Sequence, residues 1–262
     1  MKKLKKSEAV TTAAICAAGM VILEYAPITL FPSEPLNTLA KTACSRCLGA
    51  VMFLVLLLWL GYRVFDRSGF GKKLLFILPP LAVVVNNLPI LALASGAARV
   101  TGTPWEIFFF AMQSLMIGIF EEAAFRGVLL LVLLEKRRSS TKEIFWTTAL
   151  SAAVFGGVHL LNLAAGAGFG PTVMQVGYSF LIGGMCGIVL LKTRNLWLCA
   201  LLHAIFDFCG FLVPQLGEGT LWDVPTVVFT AVLAVLVTAY MVFALLKIKP
   251  GDVSPIYEKE TV

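Results

Sequence analysis

The sequence predicts an all-α protein, built as a polytopic membrane helix bundle of about eight transmembrane helices. Hydrophobic residues make up 59% of the 262 residues and charged residues only 14%, whereas soluble domains carry about 25% charged residues. The apolar runs are continuous and about 20 residues long, which is the length an α-helix needs to cross the hydrocarbon core of a bilayer. These two observations favour an integral membrane protein with short loops.

Eight apolar runs are bounded by charged residues, proline or glycine. They predict spans at residues 9–31, 46–65, 73–95, 105–134, 143–164, 172–192, 195–214 and 224–247. The lysine-rich start of the chain resembles a secretory signal, but the apolar run behind it is long enough to span, so we expect an uncleaved first helix. Residues 1–250 are expected to form one transmembrane domain and residues 251–262 a short, solvated cytoplasmic tail.

The basic residues predict the orientation of these spans. Seventeen of the 21 lysines and arginines lie at the N-terminus, in the second, fourth and sixth loops, and in the tail region. Only Lys41, Arg46 and Arg99 lie on the opposite side. Because basic residues mark cytoplasmic loops, this split predicts a multi-pass protein of the cell membrane with both termini cytoplasmic. The net charge of +6 is explained in this way, and no nucleic-acid partner is expected.

The fourth span contains two adjacent carboxylates and a guanidinium, at Glu121, Glu122 and Arg126. An ionised side chain in a bilayer costs between about 3 and more than 10 kcal/mol, so such residues face a protein interior or a water-filled cavity. Glu122 and Arg126 are spaced i,i+4 and can pair on one helix face. Glu121 lies about 100° further around the helix, so it can point elsewhere and remain unpaired by that arginine.

The only two histidines of the chain, His159 and His203, also lie inside predicted spans. His203 shares a helix face with Asp207, whose carboxylate can fix the tautomer of the imidazole. Counted from the basic clusters at about 1.5 Å per residue, Glu121, His159 and Asp207 lie about 20–25 Å deep, and His203 about 14 Å deep. Three helices thus bring Glu121, His159 and Asp207 to similar depth, and two histidines with an unpaired glutamate are typical of a hydrolytic site.

Two other interpretations of these buried charges remain open. An internal ion-pair network could merely hold the bundle together, and the proton relay of a transporter uses the same residue types. No pseudo-repeat or pair of broken helices of the kind that transporters show is visible in the sequence. Further polar residues inside the spans can line a cavity or form hydrogen bonds between helices; they are Glu24, Asn86, Asn87, Gln113, Gln175 and Tyr178.

The order of the motifs resembles the CPBP family of intramembrane proteases, which includes the CAAX prenyl endopeptidases and the bacterial bacteriocin-processing and self-immunity proteins. E-E-x-x-x-R, F-x-x-x-H and H-x-x-x-[N/D] follow one another in separate spans, at Glu121–Arg126, Phe155–His159 and His203–Asp207. The matching core covers about residues 105–212. The resemblance implies an eight-helix bundle with a water-filled cavity inside the membrane.

The resemblance also implies roles for individual residues. The implied catalytic set is Glu121, Glu122, His159, His203 and Asp207, with Arg126 as structural support. Glu121 would activate a water as the general base, His159 would position it, and His203 would stabilise the oxyanion. The implied partner is a membrane-embedded or lipid-anchored peptide or protein in the lipid bilayer, cleaved as in CAAX-type, bacteriocin or signal-peptide processing.

This sequence departs from the family at Asp207, where peptidases of prenylated proteins carry Asn. An ionised aspartate would repel an oxyanion, so Asp207 must be protonated or must orient His203.

No H-E-x-x-H motif is present, and a water activated by glutamate needs no ion, so we expect no tightly bound cofactor. If a metal were present, Glu121, His159 and His203 could supply a Zn²⁺ ion with ligands. The alternative function is a non-catalytic membrane scaffold or immunity protein that retains the fold.

Overall fold

The computed structural model describes residues 6–221 and 224–258. These residues form helices, with one short antiparallel two-stranded ladder. The helices are α1 Lys6–Tyr25, α2 Glu34–Leu60, α3 Phe70–Asn86, α4 Ile90–Ser95, α5 Pro104–Glu122, a π-helical segment Ala123–Leu130, α6 Leu131–Lys136, α7 Thr141–Val158, α8 Leu161–Ala164, α9 Phe169–Thr193, α10 Leu196–Leu216, α11 Val224–Leu246, α12 Pro250–Val253 and a 3₁₀ turn Ser254–Ile256. The strands are β1 Ala98–Val100 and β2 Gly217–Gly219.

The all-α class is confirmed, and helical structure lies at each of the eight predicted spans. Within the described residues, five helical segments are both long and apolar enough to cross a membrane. They are Glu34–Leu60, Thr141–Ala164, Phe169–Thr193, Leu196–Leu216 and Val224–Leu246. The number of eight crossings and the side of each terminus therefore stay predictions.

Three of the predicted spans have clearly different bounds in the structure. The first helix ends at Tyr25 rather than at residue 31. The second helix begins at Glu34 rather than at residue 46, because Lys41 lies within the helix and donates to the Ala26 carbonyl at 3.1 Å instead of ending it. It ends at Leu60, since Gly61 adopts a left-handed conformation with φ of 78° and caps the last turn. The third span divides into α3 and α4 before Pro89, where proline disfavours a helical residue in front of it.

The fourth span is a continuous helical rod formed by α5, the π-helical segment and α6. It begins with a capping box between Thr103 and Glu106, which satisfies free backbone N–H groups at the helix start. Its face at Gly118 packs directly on α10: a Cβ at this position would lie 2.6 Å from the Ala200 carbonyl oxygen. This close approach places the two glutamates at the end of α5 next to α10.

A polar cluster joins the loops at the end of the bundle that carries most of the basic residues. The Asp66 carboxylate lies 3.0 Å from the Lys73 ammonium and 2.8 Å from the Arg194 guanidinium. Partial desolvation of Asp66 opposes its ionisation, but hydrogen bonds from Ser68 and the Lys73 ammonium outweigh it and hold the Asp66 pKa well below its usual range. The loop after α2 is thereby attached to the turn in front of α10.

The prediction of a solvated tail from residue 251 is wrong for its first part. Val253 and Ile256 are fully buried, and the Tyr257 hydroxyl donates to the Leu131 carbonyl at 2.8 Å. The Tyr257 ring also packs edge-on against Tyr62, with the centroids 5.2 Å apart. Two apolar side chains in a short polar segment are enough to fold it back onto the bundle.

Of the basic residues used for the orientation, Lys2, Lys3, Lys5 and Lys259 lie outside the described residues.

Replacing Gly118 by alanine should destabilise the bundle by about 1–3 kcal/mol, because the added methyl group forces α5 and α10 apart. The measurement is the thermal midpoint of the purified protein in detergent. The matched control is Gly177→Ala on α9, where an added Cβ has no heavy atom within 4 Å. Equal midpoints for the two variants would contradict the close packing of α5 on α10.

Replacing Asp66 by asparagine should lower the stability at pH 7 by about 1 kcal/mol, since its partners are partly solvated. The pKa of Asp66 is lower in the folded than in the unfolded chain, so this stabilisation is present at neutral pH. It is lost as the pH falls below about 4, because Asp66 takes up a proton in the unfolded chain at a higher pH than in the folded chain. The difference in thermal midpoint between wild type and Asp66→Asn should shrink from pH 7 to pH 3; a constant difference would contradict this.

Candidate active site

Glu121, His203 and Asp207 come together where α5 and α10 face each other. His203 Nε2 lies 3.6 Å from Glu121 Oε2 and 3.6 Å from Asp207 Oδ2. Both separations exceed a direct hydrogen bond. The Glu121 and Asp207 side chains are 23% and 16% exposed. The site therefore holds two partly accessible carboxylates on either side of one imidazole nitrogen.

Glu122 lies behind this group and is completely buried. Its Oε1 atom lies 2.8 Å from Arg126 NH1 and 2.7 Å from His203 Nδ1. The predicted i,i+4 pair with Arg126 is present, and Glu121 points away from it, as the 100° offset predicted. The adjacent glutamates thus have different surroundings. The Glu122 carboxylate contacts Arg126 and His203, and the Glu121 carboxylate faces a cavity.

Glu122 fixes the tautomer of His203, whereas the sequence predicted that Asp207 would do so. With Nδ1–H donating to the Glu122 carboxylate, Nε2 is the nitrogen that faces Glu121 and Asp207. The sequence favoured Asp207 because i,i+4 neighbours share a helix face. The contact between Glu122 and His203 depends on how α5 packs against α10. The spacing of residues along a single helix gives no information about such packing.

Arg126 lies in a pocket formed by the second motif and by α9. Its guanidinium carbon lies 4.2 Å from the centroid of the Phe155 ring, a cation–π arrangement. Its Nε donates to the Gly183 carbonyl at 3.3 Å. A Cβ at Gly183 would lie 2.9 Å from Arg126 NH2 and 3.0 Å from Phe155. The absence of a side chain at Gly183 therefore allows close packing of α9 and also leaves space for the arginine.

His159 lies at the end of α7 and lines the same cavity as Glu121. Its Nδ1 is 3.0 Å from the Phe155 carbonyl oxygen, so the Nδ1–H tautomer leaves Nε2 without the proton. The Phe155 ring contacts both histidines edge-on, with centroids 5.3 Å from His159 and 5.8 Å from His203. Phe155 thus supports the histidines on one side and the arginine on the other.

The rod that carries the glutamates changes to a π-helix directly after Glu122. π-Helical turns are rare and occur frequently at functional sites. Ser151 on α7 donates to the Phe125 carbonyl inside this segment at 3.4 Å. The unusual backbone is therefore supported by a side chain from the neighbouring helix, and it carries Arg126 back toward Glu122.

A cavity of about 190 Å³ connects the candidate residues. Gln113, Gln175 and Tyr178, which the sequence marked as polar residues within spans, line it. The other three of that set form hydrogen bonds between helices: Asn86 to Thr230, Asn87 to the Phe206 carbonyl, and Glu24 from Ser45. Both interpretations of the buried polar residues are correct, each for part of the set.

Sequence reasoning missed three polar residues of the cavity wall, Ser114, Ser179 and Gln215. A signal for two of them was available. Ser114 precedes Glu121 by seven residues and Gln215 follows Asp207 by eight, so each lies two helical turns away on the same face. No candidate catalytic residue lies on the helix of Ser179, but Ser179 follows Gln175 by four residues and so shares a helix face with it.

The three proposed zinc ligands do not form a metal centre. Within residues 6–221 and 224–258, no group of three or more His, Cys, Asp or Glu side chains is arranged to hold a metal ion. His159 lines the cavity beside Glu121 and His203, but its Nδ1 is engaged by its own helix. The residues present thus do not fit a Zn²⁺ ion, and the chemistry is derived from the protein groups alone.

Comparison with protein families identifies the segment that builds this site. Residues 103–209 match the family model described as type II CAAX prenyl endopeptidase Rce1-like. The matched segment begins at the N-cap of α5 and includes all three motifs, from Glu121 to Asp207. A search of curated proteins and a search of solved structures found no match. Residues 103–209 thus form an Rce1-like segment, and this segment carries the three motifs on which the predicted resemblance to the CPBP family rests.

Proposed function

We propose that this protein is an intramembrane endopeptidase that hydrolyses a peptide bond of a membrane-associated protein or peptide with a water activated by Glu121. One observation carries the proposal. Glu121 is a partly exposed carboxylate at the wall of a cavity, with the nitrogen of His203 3.6 Å away, while its neighbour Glu122 is buried and already engaged. Of the two adjacent glutamates, Glu121 is the one that is free to accept a proton from a water in the cavity.

The reaction follows from this arrangement. A water between Glu121 and the substrate gives its proton to the Glu121 carboxylate, and its oxygen attacks the carbonyl carbon of the scissile bond. The carbonyl oxygen becomes an oxyanion in a tetrahedral intermediate. When the C–N bond breaks, the electron pair goes to the leaving nitrogen, which takes the proton back from Glu121. The products are a carboxyl group and a free amine.

His203 would stabilise the oxyanion. Since its Nδ1–H already donates to Glu122, it can donate from Nε2 only as the imidazolium. The role of Glu122 is then to hold the ring in this orientation and to balance its charge. Asp207 lies 3.6 Å from the same nitrogen and must be protonated when an oxyanion forms beside it, because an ionised carboxylate would repel that charge. His159 is placed to position the water.

An apolar groove next to the cavity supports a substrate that lies in the membrane. It has a volume of about 490 Å³ and is bounded by α3, α7, α9, α10 and α11. Tyr178, Ile182, Phe206 and Phe211 line both the groove and the cavity. An apolar helix or a lipid chain of the substrate would gain about 25 cal/mol for each Å² buried there. The proposed substrate is accordingly membrane-embedded or lipid-anchored.

We further propose that the protein lies in the cell membrane with eight crossings and both termini in the cytoplasm. The basic residues support this topology. Lys72 and Lys142 lie in the first turns of α3 and α7, and Lys192 lies in the last turn of α9, all at the same end of the bundle. Lys41 and Arg99 lie toward the opposite end, and Arg46, in the middle of α2, lies over the Phe120 ring. An end rich in lysine and arginine is the cytoplasmic one.

Replacing Glu121 by glutamine should abolish proteolysis, with a loss of at least about 10²-fold, because the amide cannot take the proton from water. The folded protein should remain in the membrane, since Glu121 is partly exposed and not part of the buried ion pair. The measurement compares membrane proteomes and peptidomes of cells that produce the wild type or the variant. A precursor should accumulate in the variant while its fragments disappear.

The control for this experiment is Glu34→Gln, which removes an exposed carboxylate in the first turn of α2. It should leave the processing unchanged. Undiminished processing by Glu121→Gln would overturn the proposed mechanism and favour a non-catalytic membrane protein with the same fold.

Replacing Glu122 by glutamine should instead destabilise the protein by about 3–5 kcal/mol, because the buried Arg126 loses its counter-ion. The double variant Glu122→Gln/Arg126→Met should recover most of the thermal midpoint, since it removes the uncompensated charge. Neither variant should be active, because His203 loses the carboxylate that orients it. Wild-type stability of Glu122→Gln would contradict a structural ion pair, and full activity of the double variant would contradict the orienting role.

A further inference from the structure

The cavity and the apolar groove meet next to the candidate site. The residues that line both spaces are Tyr178, Ile182, Phe206 and Phe211. The rings of Tyr178 and Phe206 pack on each other with their centroids 5.7 Å apart. Phe206 directly precedes Asp207, whose Oδ2 lies 3.6 Å from His203 Nε2. A substrate that occupies both spaces therefore passes from one to the other beside His203.

The two spaces differ in the polarity of their walls. Ten of the 16 residues that line the cavity have a polar or ionisable side chain. Among the described residues that line the groove, five of 24 have a polar side chain, and none is Asp, Glu, Lys, Arg or His. Of these five, Asn87, Thr148 and Thr230 already form hydrogen bonds inside the protein. The boundary between polar and apolar surroundings thus runs through the four shared residues.

The cavity wall carries polar groups that the protein itself leaves available. Ser179 lines the cavity and is only 4% exposed, yet within residues 6–221 and 224–258 its hydroxyl forms no hydrogen bond. The side-chain amides of Gln113 and Gln215 likewise have no hydrogen-bond partner in the described part of the chain. Buried polar side chains normally have a partner. These groups can bind the N–H and C=O groups of an extended peptide, which need partners when they leave water.

The groove offers few such partners, so a peptide in it must satisfy its own backbone groups. In an apolar environment, a single peptide segment achieves this as an α-helix. The groove extends along α11 from Thr230 to Leu245, which is about 22 Å at 1.5 Å per residue. This length corresponds to about 15 residues of a helix, most of the roughly 20 residues that cross a bilayer.

Small side chains in the groove favour a helix over a lipid chain. On α11, Thr230, Ala234 and Thr238 line the groove at intervals of four residues. On α7, Thr148 and Ala152 line it at the same interval. Small residues at this spacing allow the backbones of membrane helices to approach each other closely. A flexible hydrocarbon chain requires no such spacing.

We propose that the substrate is a membrane-spanning peptide helix that lies in the groove and continues as an extended polar segment in the cavity. The carbonyl groups inside a helix are engaged by its own N–H groups, so a scissile carbonyl becomes available where the helix ends. An extended chain covers about 10 Å in three residues, so Glu121 cleaves within about three residues of the junction between the apolar and the polar segment. This inference rests on the proposed function and narrows its substrate to a membrane-embedded helix.

The position of the cleavage sites tests the inference. Peptide termini that arise in cells with the wild type and are absent with Glu121→Gln are mapped by mass spectrometry. The cleavage sites should lie within about three residues of one end of an apolar run of roughly 15–20 residues. Sites in the middle of an apolar run, or in proteins without such a run, overturn the inference. Sites beside a lipid-modified residue without an apolar run also overturn it, in favour of a lipid chain in the groove.

Failure of the inference is distinguishable from failure of the proposed function. If the wild type and Glu121→Gln give the same peptide termini, the proposed function is overturned, and the inference with it. If termini depend on Glu121 but lie away from the ends of apolar runs, the inference alone is overturned.

A second experiment moves the junction in the precursor that gives the most abundant terminus dependent on Glu121. The four polar residues next to its apolar run are replaced by leucine, which extends the run by about one helical turn. The cleavage site should move by about four residues in the same direction, because the groove takes up the added turn. A site that stays at its original residue overturns the inference.

The groove itself is tested with Ala234→Phe, because Ala234 lines the groove on α11. Processing of the same precursor should fall by about tenfold or more, since the phenyl ring occupies space that the substrate helix needs. The matched control is Ala231→Phe on the same helix, where Ala231 is exposed and does not line the groove. Equal processing by the two variants overturns the inference.

A loss of folding in Ala234→Phe is detected by its thermal midpoint. In that case Ala149→Phe on α7 replaces it, since Ala149 also lines the groove. Its control is Ala153→Phe, at an exposed position one turn further along α7. The same difference in processing is expected, and equal processing by this pair overturns the inference.

Discussion

The structure of the site depends on the carboxylate of Glu122. One oxygen of this buried group contacts both the Arg126 guanidinium and the imidazole of His203. A buried carboxylate without partners would be prohibitively unfavourable, and so would a buried guanidinium. The ion pair therefore joins the end of α5 to the π-helical segment that continues it, and the contact with His203 fixes this part of the rod against α10.

The division of roles between two adjacent glutamates follows from this constraint. Successive residues of an α-helix point about 100° apart, so when Glu122 faces the interior, Glu121 must face the cavity. The same contact presents His203 Nε2 to the cavity at a distance from Glu121 that leaves room for a reacting group. Gly118 and Gly183 have no side chain, which this packing requires. A side chain at Gly118 would collide with α10, and a side chain at Gly183 would collide with Arg126.

The bundle is asymmetric along its length. Leucine and other apolar side chains fill the half that carries the basic loops, whereas polar side chains line a cavity in the other half. The buried apolar side chains of this half stabilise the bundle by removing apolar surface from water. The π-helical segment lies at the boundary between the two halves, where the ion pair separates the cavity from the core.

The sequence by itself determined the all-α class, the Glu122–Arg126 pair, the free direction of Glu121 and the order of the three motifs. These features are local: they depend on hydropathy over about 20 residues and on the angular period of one helix. The tertiary structure decided which carboxylate orients His203, which polar residues line the cavity, and that Val253 and Ile256 fold back onto the bundle. Each of these depends on contacts between helices, whose rotation and distance are set by packing and are not encoded in spacing along one chain segment.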